Sequence, residues 1–178
     1  MMFATMSVEP IITVHVEKLT GSTANVAIAS AAVFSLTALG TVLSGPWLGK
    51  LADRVGPLRV LTASLAVATV LLMVQSSAPT LWSFAALRFV TGLALGGITP
   101  TVVSTLRRIV PATSVGLVLG YNVSAQYLGQ VSGPIVAGWL GGVAGTSTVF
   151  LVTGALTALG VGVAVLIRRH TAESPSLA

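Results

Sequence analysis

Two ionisable side chains lie inside long apolar stretches of the sequence, where a charge is costly. Glu9 lies in the first stretch and Arg88 in the fourth. A charged side chain at mid-membrane depth costs about 3 kcal/mol or more, so such residues usually face a bundle interior or a wet cavity and find a partner. Both lie at a similar depth, about 10 Å below the outer surface at 1.5 Å per helical residue. We interpret them as an ion pair that either breaks on protonation or on binding of a ligand, which would drive a conformational change, or only fixes helix packing. A Glu9 side chain that faces lipid is a third alternative.

Three amide side chains recur at every fourth position of the fifth apolar stretch: Asn122, Gln126 and Gln130. Residues four apart share one face of a helix. Asn122 and Gln126 are candidates for lining a cavity, with hydrogen bonds to neighbouring helices as the alternative. Gln130 adjoins a Gly-Pro sequence, and we predict a structural role for it.

The other polar residues do not support enzymatic or metal chemistry. The chain has no cysteine and two histidines, His15 near the outer end of the first stretch and His170 in the C-terminal tail. A Ser-His dyad or a metal site would need a histidine that faces a polar neighbour inside the fold. We therefore expect no enzymatic activity, no metal and no cofactor.

The composition indicates that lipid is the main solvent of this chain. Charged residues make up 7 % of it, against about 25 % in an ordinary soluble domain, and 54 % of the residues are hydrophobic. The net charge of +5 comes from basic residues scattered between apolar runs. A nucleic-acid partner is not expected, because it would need a continuous basic stripe.

Six apolar segments predict an all-α membrane protein. A helix that crosses about 30 Å of hydrocarbon needs about 20 apolar residues. We predict one six-span bundle over residues 1–170, with a polar cytoplasmic tail over 171–178. The spans are predicted at 2–16, 25–44, 60–76, 81–106, 115–140 and 148–167. The first is the shortest and resembles a helix without its opening turn, which suggests a truncated or split reading frame.

The basic residues predict the orientation of these spans. Seven of the nine fall on one side of a six-span arrangement: Lys50, Arg54, Arg59, Arg107, Arg108, Arg168 and Arg169. Cytoplasmic loops collect Lys and Arg. We therefore predict a multi-pass protein of the plasma membrane with both termini in the cytoplasm.

Glycine accounts for 19 of the 178 residues, and four pairs spaced four apart lie within the spans. Each pair clears one helix face for close approach by a neighbour, so we predict four packing seams. The pairs are Gly92 with Gly96, Gly116 with Gly120, Gly129 with Gly133, and Gly138 with Gly142.

The segment after the second span reads GKLADRVGPLR and resembles the cytoplasmic-loop signature of the major facilitator superfamily, G-x-L-A-D-R-x-G. Gly49 and Gly56 are predicted to allow tight turns at the membrane surface. Asp53 is interpreted as a conformational latch that accepts hydrogen bonds from a helix N-terminus. Arg54 can pair with a carboxylate or a lipid phosphate.

Two further segments carry the same resemblance. RFVTGLALGG, which begins at Arg88, resembles the R-x-x-Q-G motif of the superfamily, with Thr91 where glutamine is common. GQVSGPIVAG is similar to the G-x-x-x-G-P-x-x-G-G motif of drug-proton antiporters. Its matching residues are Gly129, Gly133, Pro134 and Gly138.

The resemblance implies one half of a major facilitator superfamily fold, a 3+3 inverted repeat, and favours the C-terminal half of a bacterial multidrug-efflux member. In this superfamily the first and fourth helices of each half line the central cavity, which points to the spans of Glu9 and Arg88. The implied function is secondary transport, proton-coupled efflux of drugs or other small amphipathic compounds. The implied partners are the substrate, protons, the bilayer and a second six-helix half, as a separate chain or a homodimer. The alternative is a truncated or split-gene product that inserts but transports nothing, because alternating access needs two bundles.

Overall fold

The computed structural model describes residues 2–20 and 25–173, and this part of the chain folds into seven α-helices with no strand. The helices are α1 (Met2–Thr20), α2 (Val26–Val55), α3 (Pro57–Gln75), α4 (Leu81–Leu95), α5 (Ile98–Ile109), α6 (Val115–Ala144) and α7 (Thr146–Glu173). The last helix enters the segment that we predicted to be a tail, and residues 174–178 lie outside the described part.

Four segments are long and apolar enough to cross a membrane: Val26–Val55, Pro57–Gln75, Leu81–Arg107 and Thr146–Arg169. The third combines α4 with most of α5. Helices α1 and α6 are also long, at 19 and 30 residues, but they are not among these four segments. The prediction of an all-α membrane protein is therefore confirmed, while a bundle of six spans stays a prediction.

The fourth span is broken, although we predicted a continuous helix over 81–106. Helix α4 ends at Leu95 and α5 begins at Ile98, with Gly96 and Gly97 between them. Pro100 lies in the first turn of α5 and cannot donate a backbone hydrogen bond to the turn before it. Two adjacent glycines followed by a proline explain why the helix stops here.

The turns between helices are shorter than the sequence suggested. We predicted that the second span ends near residue 44, but α2 includes Pro46 and continues to Val55, and α3 begins at Pro57. Gly56 alone makes the turn, with φ +98°, a conformation that favours glycine. Proline suits the first position of the next helix because its missing N–H has no helical partner there.

The helices pack as neighbouring pairs, α1 on α6, α2 on α4 and α3 on α7. Helix α4 also packs on α3, and α1 also packs on α7. The main core lies where these pairs meet, and its fully buried side chains include Val8, Ile12, Phe84, Val149 and Phe150. This arrangement brings α1, α2, α5 and α6 around one common space.

Two of the four predicted glycine seams are confirmed. A Cβ on Gly92 would overlap the carbonyl of Thr37 in α2, and one on Gly96 would overlap the carbonyl of Thr41. Gly129 and Gly133 likewise lie against the backbone of Phe3 in α1.

The other two predicted seams are wrong for the described chain. Gly116, Gly120, Gly138 and Gly142 have nothing within 4 Å of the position of a Cβ. They lie on a face of α6 that no described helix covers. Spacing alone cannot tell which face of a helix has a neighbour.

Candidate functional site: a cleft and a buried arginine

A cleft of about 420 Å³ opens between α1, α2, the α4–α5 break and α6. Asn122 and Gln126 both line it, and Gln130 does not. The remaining lining residues are Met2, Phe3, Thr5, Met6, Thr37, Thr41, Leu95, Ile98, Thr99, Val102, Ala125 and Gly129. Asn122 and Gln126 therefore face the same cleft, and their role in binding stays a prediction.

The cleft combines a mainly apolar wall with a few neutral polar groups. The Thr37 hydroxyl donates to the Val33 carbonyl at 3.0 Å, and the Thr41 hydroxyl donates to the Thr37 carbonyl at 3.0 Å. Their hydrogens are therefore occupied, and their oxygens remain available as acceptors. Our sequence analysis missed these threonines, although their four-residue spacing in α2 was a visible signal.

Flexible and apolar side chains make up the rest of the wall. Met2 and Met6 are unbranched and polarisable, so they can adapt to ligands of different shape. No ionisable side chain is among the residues that line this cleft. An apolar pocket with a small number of polar groups suits small amphipathic molecules.

Arg88 lies behind the cleft, 4 % exposed. Its guanidinium carbon lies 5.9 Å from the centre of the Phe84 ring, a cation–π distance. Its Nε atom has no hydrogen-bond partner in the described structure. A buried donor left without a partner costs about 1–3 kcal/mol, and more when it is charged. Arg88 is thus a buried cation that this conformation satisfies incompletely.

A small enclosed void of about 20 Å³ lies between Arg88 and the cleft. Thr91 and Thr157 contribute polar atoms near it, and Thr5 and Leu95 line both the void and the cleft. The space beside the guanidinium and the cleft therefore share two of their lining side chains.

Glu9 is exposed, in contrast to Arg88, and among the described residues the two form no ion pair. The neighbouring residues Val8 and Ile12 face the core of the bundle. The expected Glu9–Arg88 ion pair is therefore absent from this conformation. A similar depth in the membrane did not determine the direction in which each side chain points.

The four residues of the loop signature lie around the end of α2. Gly49 is inside the helix and makes no turn, contrary to our prediction, whereas Gly56 makes one. Asp53 and Arg54 are exposed in the last helical turn rather than in a loop.

The antiporter-like segment brings α6 onto α1 beside the cleft. The Ser7 hydroxyl lies within hydrogen-bond distance of the Gly133 carbonyl, at 3.2 Å, and of the Phe3 carbonyl, at 2.7 Å. Pro134 lies inside α6, and Gly138 is exposed. Two glycines of this segment, Gly129 and Gly133, therefore pack against α1, and the third, Gly138, contacts no described helix.

His15 belongs to an aromatic cluster at the end of the bundle opposite the cleft. Its ring centre lies 4.9 Å from that of Phe84 and 5.4 Å from that of Phe150. Its Nδ1 atom is 3.5 Å from the Thr146 hydroxyl. The histidine thus packs α1 against α4 and α7.

Apolar helices long enough to cross a membrane, arranged around a mainly apolar cleft, indicate a multi-pass membrane protein. A sequence model of the Major Facilitator Superfamily matches residues 1–178. The chain therefore belongs to this superfamily, as the sequence motifs predicted.

The chain is similar to bacterial proteins named multidrug resistance protein MdtG. It is 37 % identical over 150 residues to the relatives of Enterobacter lignolyticus and Dickeya zeae. The relative of Salmonella arizonae is 36 % identical over the same length. Each alignment covers 84 % of this chain, and only 36 % or 37 % of the relative. The chain therefore spans less than half of the relatives that it matches.

Proposed function

We propose that the chain is the C-terminal six-span half of a proton-coupled efflux transporter for drugs or other small amphipathic compounds. The observation that carries this proposal is the cleft, whose apolar wall, methionines and neutral amides suit such compounds. The similarity to multidrug resistance proteins supports the same substrate class.

A second six-helix half, as a separate chain or a second copy, is part of this proposal. The cleft is open to one side, and alternating access in this class requires two bundles that rock around a site between them. Large apolar side chains, among them Val42 and Ile135, are exposed on α2 and α6. A product that inserts without transporting anything is the competing proposal, because one bundle alone has no second bundle to move against.

Proton coupling is assigned to Glu9 and Arg88. Glu9 is the carboxylate that can exchange protons, because it is exposed on a helix that borders the cleft. Arg88 supplies a fixed positive charge behind the cleft wall. Asp53, at the end of α2, is proposed to act as a latch between conformations rather than as a ligand for substrate.

Replacing both Asn122 and Gln126 with alanine is expected to lower efflux of at least one amphipathic substrate about tenfold, because each lost hydrogen bond weakens binding by about 0.5–1.5 kcal/mol. Efflux would be measured in an efflux-deficient strain that expresses the chain with the N-terminal part of a multidrug resistance relative. Gln130→Ala is the matched control, because this amide lies on the same helix outside the cleft. Unchanged efflux of every substrate in the double variant would refute the cleft assignment.

Cysteine labelling tests the proposed orientation. The chain has no native cysteine, so each introduced thiol is unique. Lys50 and Ser77 are exposed near opposite ends of the bundle, whereas Ala52 and Ala78 beside them are buried. In intact cells, an impermeant thiol reagent should label Ser77→Cys and spare Lys50→Cys, because basic residues collect on the cytoplasmic side. The reverse pattern would invert the topology.

A further inference from the structure

Gln75, in the last turn of α3, is fully buried with 0 % exposure. Its Nε2 atom donates to the Thr91 hydroxyl oxygen at 2.9 Å and to the Leu71 carbonyl at 3.2 Å. The Thr91 hydroxyl donates its own hydrogen to the Leu87 carbonyl at 2.7 Å. Both partners of the amide therefore act as acceptors, and only its nitrogen can face them. The orientation of the Gln75 amide is thus fixed.

This orientation leaves a complementary pair of unsatisfied atoms in the described core. Gln75 Oε1 is a buried acceptor without a donor, and Arg88 Nε is a buried donor without an acceptor. Arg88 precedes Thr91 by three residues, so the two share a face of α4, about 4.5 Å apart along its axis. The side chains that carry the two unsatisfied atoms therefore both lie near Thr91, Gln75 through a hydrogen bond and Arg88 on the same face of α4.

We propose that Gln75 is a positioning residue for Arg88. In a second side-chain conformation, the guanidinium leaves the Phe84 ring and donates to Gln75 Oε1. The void beside Arg88 and Thr91 provides space for this movement. A neutral amide satisfies the donor while the positive charge is kept, so Arg88 stays a cation next to the cleft.

The proposal also explains the departure from the R-x-x-Q-G pattern at Thr91. The amide that the pattern places on α4 comes here from α3, through the hydrogen bond between Gln75 and Thr91. The role of this contact in transport rests on the proposed function. The contact between Gln75 and Arg88 itself does not depend on the proposed function.

Hydrogen exchange of the Arg88 Nε–H tests this contact without any transport assay. The purified chain would be labelled with ¹⁵N-arginine in detergent micelles, and the signal assigned with Arg88→Lys. We expect a signal protected from exchange in the natural sequence, and protection about tenfold lower in Gln75→Leu. In Gln75→Glu the protection should increase, because a carboxylate is the stronger acceptor.

The control for general loosening of the core is Thr69→Val. This change removes a buried hydroxyl at the contact of α3 with α7, 3.1 Å from the Thr157 hydroxyl, and Thr69 itself does not line the void beside Arg88. Arg88 protection should therefore persist in Thr69→Val. Equal protection of the Arg88 Nε–H in Gln75→Leu and in the natural sequence would overturn the proposal. If Gln75→Leu does not fold, lower protection in Gln75→Glu than in the natural sequence would overturn it instead.

A double-mutant cycle on Tm gives a second readout. Gln75→Leu should lower Tm by about 4 °C when Arg88 is present and by less than half of that in an Arg88→Met background. Additive changes would contradict the contact. If these coupling results hold while the assembled transporter moves no substrate, the proposed function fails and the Gln75–Arg88 contact stands.

Discussion

Replacing Gly92 with alanine is expected to lower the Tm of the purified chain by about 6 °C. The added Cβ would overlap the Thr37 carbonyl where α4 crosses α2. Forcing a methyl group into a packed site costs about 1–3 kcal/mol, and each kcal/mol shifts Tm by about 2–4 °C for a chain of this size. Separation of the helices would also lengthen the contact of 3.3 Å between the Thr41 hydroxyl and the Gly92 carbonyl.

Gly138→Ala is the matched control for this prediction. It makes the same change inside α6, where nothing lies within 4 Å of the new methyl group. Alanine favours a helix over glycine by about 1 kcal/mol, so Tm should stay constant or rise. Thermal unfolding of both variants would be followed by circular dichroism in one detergent. A similar loss in both would mean that the α2–α4 contact is not the tight seam described above.

The sequence predicted those features that depend on the distance between residues along a helix. The four-residue spacing of Asn122 and Gln126 placed both on one wall of the cleft. The same spacing predicted the close approach of Gly92 and Gly96 to α2. In each case, one face of one helix was enough to define the feature.

Features that depend on a neighbouring helix were not predictable in this way. The position of Glu9 in its span indicated its depth in the membrane but not the direction of its side chain, which is exposed while that of Arg88 is buried. Gln75 follows an apolar run and precedes a turn, so it looked like the polar end of a span. Its burial results from contact with Thr91 on the next helix, which no local pattern encodes.

Helix ends were the other weakness of the sequence analysis. Glycine and proline between residues 45 and 59 suggested a long loop, yet only Gly56 departs from helical geometry. Pro46 is accommodated inside α2, as proline often is in membrane helices, where other groups satisfy the freed backbone carbonyls. The glycines at 96 and 97 do separate two helices, because a proline that cannot donate a backbone hydrogen bond follows them in the first turn of α5.

Arg88→Met is expected to abolish efflux while Tm stays constant or rises by about 3 °C. The guanidinium is buried, forms no ion pair with a described residue and has an unsatisfied Nε. Replacing an incompletely satisfied buried charge by an apolar side chain of similar size is often neutral or stabilising, by about 1–4 kcal/mol. The same change removes the positive charge that we assign to proton coupling, so efflux should fall more than about tenfold.

A loss of efflux without a loss of Tm would distinguish an arginine that acts in transport from one that only packs helices. If Arg88 served only to pack α4, its removal would lower Tm and efflux together, as Gly92→Ala should. Arg59→Met is the control, because this arginine is exposed at the start of α3 and its loss should change neither Tm nor efflux.

Glu9→Gln combined with Arg88→Met extends the test to proton coupling. Because the two side chains form no ion pair here, their effects on Tm should add. Their effects on proton-driven efflux should not add, because either change alone already interrupts the same proton cycle. Additive losses in efflux would mean that Glu9 and Arg88 act independently.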